Sequence, residues 1–167
     1  MQNVREKLLK RLRSHYRLEF FNAFGLPFLF VLNSIVHNQP FGINSIVAFI
    51  LNGIILLEGS FLWYSIYHKL TEKLDTNFIR IFRLFKSINL FLIILTIALI
   101  AFNQFKSTFE QIGTISFLIL AILEHINYYE VQLMYDSKND VKYLRLFKRL
   151  KKSKLRILID NYKRKIN

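Results

Sequence analysis

The run Ile88–Phe102, "INLFLIILTIALIAF", holds no charged residue. A surface helix of a soluble protein keeps one apolar stripe and one polar face. This run has no polar face, which disfavours a soluble four-helix bundle. The wider segment, about 84–103, has the length needed to cross a hydrocarbon layer about 30 Å thick, which takes roughly 20 mostly apolar residues.

Three more segments fit the same requirement. They are about 19–36, "EFFNAFGLPFLFVLNSIV"; about 43–67, "INSIVAFILNGIILLEGSFLWYSIY"; and about 112–133, "IGTISFLILAILEHINYYEVQL". Only two prolines and five glycines interrupt the chain, which favours long helices. The first segment follows a long basic lead and precedes no small-x-small site, so it is expected to be a retained span, not a cleaved leader. Pro27 is expected to kink it. The expected fold is all-α: an integral membrane bundle of four transmembrane helices with basic amphipathic cytoplasmic helices at both ends. Residues 1–133 hold the N-terminal basic segment and the bundle, and 134–167 form a basic tail.

The chain combines 53% hydrophobic residues with a net charge of +13, and the two kinds are segregated. Six Lys and Arg lie in 1–18, five between Lys69 and Lys86, and twelve after 133. The link "HNQPFG" has none and "QFKSTFEQ" has only Lys106. Short basic loops stay cytoplasmic, so both termini and the middle loop are expected on that side of a bacterial cell membrane. Trp63, Tyr64 and Tyr67, and likewise Tyr128, Tyr129 and Tyr135, sit where interfacial aromatic belts form.

Both basic ends have helical periodicity. Val4, Leu8, Leu12, Tyr16 and Phe20 recur every four residues. Leu144, Phe147, Leu155, Leu158 and Tyr162 can share one side of a tail helix capped by Asn139 or Asp140. Such helices lie flat among headgroups. Lys148, Arg149, Lys151, Lys152, Lys154 and Arg156 are the expected contacts with anionic lipid. No nucleic-acid motif accompanies them, so nucleic acid is disfavoured as a partner.

Inside the spans, Glu58 and Glu124 each lie nine residues from the inner end of a segment running in the same direction. They therefore match in depth, and a carboxylate facing lipid there is unfavourable by about 2.5–3.5 kcal/mol. They are expected to turn inward, facing each other or a shared space. Asn44, Leu51, Glu58 and Ser65 fall on one stripe, and Asn22 and Asn52 can also point inward. Glu58, Glu124, His125, Asn127 and Tyr128 are the candidate proton or ion site. Glu124 and His125 diverge by about 100° on a helix, which disfavours a shared metal. With no cysteine, no phosphate loop, no nucleophile elbow and no His-Glu-x-x-His, neither an enzyme nor a metal or cofactor is expected.

The stretch "EHINYYEVQLMYD" after an apolar span resembles the end of small four-span membrane proteins of Gram-positive bacteria, some labelled general stress protein. That resemblance implies a stress-related setting but no reaction and no ligand residues. Two functional expectations follow from the chain as a whole. One is association with itself, with a larger membrane partner and with anionic lipid. The other is a dimeric proton-coupled transporter or channel using Glu58 and Glu124.

Overall fold

The computed structural model describes residues 2–68, 76–133, 135 and 138–166, with the side chains of 2–5, 138–141 and 163–166 outside that description. Among the described residues six helices run in order: α1 Gln2–Val36, α2 Ile43–His68, α3 Thr76–Phe102, α4 Thr108–Tyr129, α5 Lys138–Phe147 and α6 Lys154–Ile166. The first four are long and apolar enough to cross a membrane. Their outward surface is apolar, with Phe21 69%, Phe28 63%, Phe91 65% and Ile94 59% exposed. That surface suits lipid, and it agrees with the expected all-helical membrane bundle.

α2 is the central helix. α1 packs along one side of it and α4 along another, while α3 touches the bundle more lightly. Small residues on α2 allow this closeness, as packing in membranes requires. Gly53 meets the backbone of Ala23, and Ser60 Oγ donates to the Tyr16 carbonyl at 2.8 Å. These contacts run antiparallel, so the loops 37–42 and 103–107 share one end, the loop end. The termini share the other, the tail end.

The loop end is locked by sequence-local chemistry. Ser107 caps α4 by accepting from Glu110 N–H at 3.1 Å, and Glu110 Oε2 accepts from Lys106 N–H at 2.7 Å. Ser107 Oγ also donates to the Pro40 carbonyl at 2.9 Å. Glu110 is 1% exposed, and Gly42 leaves room for its carboxylate. Phe30 stacks on Phe109 and meets Phe49 and Phe117 edge-on, with centroids 4.4–6.0 Å apart.

Several expectations change at the tail end. The N-terminal basic segment is not a separate helix lying flat. It extends α1, because residues 5–24 contain no Pro or Gly to break it, and Pro27 sits inside α1 without ending it. Leu12 is 3% exposed, covered at this end; Val4's side chain lies outside the described residues. The fourth span ends at Tyr129, four residues before the expected 133. There the tail's backbone takes over: Val131 bridges Lys152, Gln132 N–H donates to the Lys151 carbonyl at 2.8 Å, and Ser153 N–H donates to the Glu130 carbonyl at 3.2 Å.

The tail is two helices, not one. Lys148 takes a positive φ of 47°, which ends α5. Ser153 starts α6 by accepting from Arg156 N–H at 3.1 Å. α5 already includes the expected caps Asn139 and Asp140, whose side chains lie outside the described residues, as do residues 69–75 of the middle loop. α6 turns Leu155 and Ile159, 1% and 6% exposed, into a cluster with Phe78, Ile79 and Phe82. Burying each such side chain contributes about 1.5–3 kcal/mol, so α6 docks on protein. Glu130 completes the join, pairing with Lys86 of α3 and with Arg156 of α6.

Candidate functional site

The carboxylates matched for depth have different partners. Glu58 of α2 accepts from Asn89 Nδ2 of α3 at 2.5 Å and from Tyr129 Oη of α4 at 2.9 Å. Asn89 and Tyr129 are 0% and 1% exposed. This ties three helices at one point, and it pairs the buried Asn89 Nδ2 with an acceptor.

Glu124 lies in a second cluster with an unexpected acid, Glu19 of α1. Tyr128, 3% exposed, stands between the two carboxylates and interacts with both. Trp63 Nε1 of α2 donates to Glu19 Oε1 at 2.8 Å, and Asn127 Nδ2 approaches Glu124 Oε2 at 3.4 Å. Gly59 of α2 makes the space, since any Cβ there would overlap the Tyr128 ring and hydroxyl. Tyr128 and Tyr129 are thus core groups, not an interfacial belt. Adjacent helical residues point about 100° apart, so one phenol reaches Glu19 and Glu124 while the next reaches Glu58.

One phenol has one proton to donate. It cannot serve two carboxylates, and a pair of close carboxylates does not readily carry two charges. Glu19 Oε2 and Tyr128 Oη are buried side by side beside Gly59, without the alignment of a regular hydrogen bond. Both polar atoms of Asn52, Asn89 Oδ1 and His125 Nδ1 are buried without a hydrogen-bond partner among the described residues. Polar atoms are thus concentrated in the interior of the bundle around these carboxylates. His125, 7% exposed, lies against the Tyr129 ring at 5.0 Å between centroids. Asn22, expected to point inward, is exposed; Asn44 and Ser65 of the stripe are buried, and so is Asn52.

A cavity of about 170 Å³ is lined by Arg11, Leu12 and His15 of α1, by Ser153 and Lys154 of the tail, and by Trp63 and Asn127. Trp63 and Asn127, which contact Glu19 and Glu124, belong to that lining; the two carboxylates themselves do not. Toward the loop end, the phenylalanine cluster of Phe30, Phe49 and Phe117 fills the bundle.

The expected headgroup contacts divide. Lys152 pairs with Asp160 at 3.1 Å, Arg156 pairs with Glu130 at 2.9 Å, and Lys151 lies 4.7 Å from the Tyr143 ring centroid. Lys148, Arg149 and Lys154 are exposed. Among the described residues, no three His, Asp or Glu side chains are grouped to hold a metal ion.

No family model matches this chain, and no curated protein and no solved structure matches it. The resemblance to small four-span proteins therefore rests on the quoted segment and the layout alone.

Sequence reasoning passed over Glu19 and Asn89, and it gave Trp63 only a place in an interfacial belt. Glu19 has a readable signal: it is an acid at the start of an apolar segment, after a lead whose charges are mostly basic. Its antiparallel neighbour at that depth is the chain's one tryptophan.

Proposed function

We propose that this protein binds a proton or a monovalent cation between Glu19 and Glu124, admitted from the cytoplasm. The observation that carries this reading is a tail-end cavity whose lining includes Trp63 and Asn127, the residues in contact with the two carboxylates. A bound proton or cation supplies the positive charge that Tyr128 cannot. The role is coupling or conduction across a membrane, without bond-making chemistry. Closure by phenylalanines at the far end makes this a state open on one side.

The tail end is the cytoplasmic end in this reading, because the loop-end links 37–42 and 104–111 hold only one of the 24 Lys and Arg of the sequence. A reporter fused after Asn167 is expected to be cytoplasmic, and one inserted near Pro40 external. External activity at 167 contradicts the threading. Association with itself or a partner draws no separate support from the exposed face of α3, since lipid satisfies that face equally.

The single tryptophan makes the site observable. Trp63 donates to Glu19, so loading or emptying the site changes the indole's surroundings. Its emission is expected to shift through one transition in a pH titration of the reconstituted protein. At a fixed pH it is expected to respond to sodium or potassium if the occupant is a metal cation. Glu19→Gln is expected to abolish both responses while leaving helix content unchanged. A transition that persists in that variant argues against the site.

A further inference from the structure

The outer flank of the α1–α2 pair carries a groove separate from the carboxylate cluster. It has a volume of about 390 Å³ and opens on the lipid-facing surface. Ser60 lowers its floor by turning its hydroxyl onto the Tyr16 carbonyl. Phe21, Leu57 and Phe61 form its walls, and Arg17 and Tyr64 stand at its tail end. From 57 to 64 on α2 the groove runs about 10 Å along the bilayer normal. A helix with its side chains is about 10–12 Å wide and needs a longer face than this. A single acyl chain fits the shape.

The charge is at one end only. Arg17 is exposed, and it forms no ion pair or hydrogen bond with any described residue. Arg13, one turn nearer the tail end, is held over Tyr67, donating to its hydroxyl at 2.6 Å. Two guanidinium groups therefore flank the level where phosphates lie, above an apolar slot. Arginine matches a phosphate bidentately, and its stem can lie along the slot while the head reaches the surface.

We propose that this groove is a binding site for an anionic phospholipid, with one acyl chain between Phe21 and Phe61 and the phosphate on Arg17. The site is distinct from the basic tail, and it lies on a different face of α2 from the one that carries Gly59 and Trp63.

The test uses the full chain in vesicles of equal phosphatidylglycerol and phosphatidylcholine, with a photoactivatable acyl chain on one lipid at a time. Labelling of the peptide containing 57–64 is expected to favour the phosphatidylglycerol probe about fivefold, the scale of one arginine near an anionic headgroup. Arg17→Gln is expected to bring that preference close to one while labelling persists. Leu57→Trp, which fills the slot, is expected to remove labelling by both probes. Equal labelling by the two probes in the unaltered protein overturns the proposal. So does a preference that Arg17→Gln leaves unchanged, or an absence of labelling at 57–64.

Discussion

Gly59→Val is expected to destabilise the bundle by about 3 kcal/mol, the upper part of the range for overpacking a tight interior. A Cβ at 59 would overlap Tyr128 and press on Glu19. Both belong to helices that pack on α2, so the strain falls on the α1–α2 and α2–α4 contacts together. Thermal unfolding in mild detergent measures it. The same variant displaces Tyr128 from between the carboxylates, so the Trp63 response should be lost even in molecules that fold. A Gly59→Val protein as stable as its parent contradicts the packing described for α2.

Glu58 separates structural glue from a titrating site. Glu58→Leu leaves Asn89 Nδ2 and Tyr129 Oη buried without a partner. An unsatisfied buried group is unfavourable by about 1–3 kcal/mol, and an interhelical hydrogen bond in membranes contributes about 0.6 kcal/mol on average. The expected loss is about 2 kcal/mol, concentrated where α3 joins the bundle. Glu58→Gln keeps an acceptor and is expected to lose less than half of that. The chain has no cysteine, so one introduced at Ile93, 6% exposed on α3, gives a clean probe. Its labelling should accelerate in Glu58→Leu and stay slow in Glu58→Gln. Equal labelling in both variants would mean that Glu58 does not hold α3.

These assignments show what periodicity and charge can reveal. A charge-free run of that length admits only a membrane or a fully buried helix, so the third span was readable from Ile88–Phe102. Depth along a helix follows from residue count, so the inward turn of Glu58 and Glu124 was readable too. Rotation about the helix axis was not, and rotation decides partners. It gives Glu58 to Asn89 and Tyr129, and Glu124 to Tyr128 and Glu19. Tyr128 and Tyr129 have the composition of an interfacial belt, and only the packing of α4 on α2 shows them buried. The tail misled for another reason. Its apolar residues suit a helix lying on lipid, but the backbone pairing of 130–132 with 151–153 turns Leu155 and Ile159 onto α3 and α4 instead.

The central claim is that the Glu19–Tyr128–Glu124 cluster is reached from the tail end and closed at the loop end. Sidedness tests it directly. Protein is reconstituted so that protease in the bath removes the tail from the outward-facing population, and uncut vesicles of that preparation are subjected to pH jumps. A jump on the tail side is expected to change Trp63 emission promptly. A jump confined to the loop side is expected to change it only as fast as protons leak through protein-free vesicles. A prompt response from the loop side, or none from the tail side, would contradict the account.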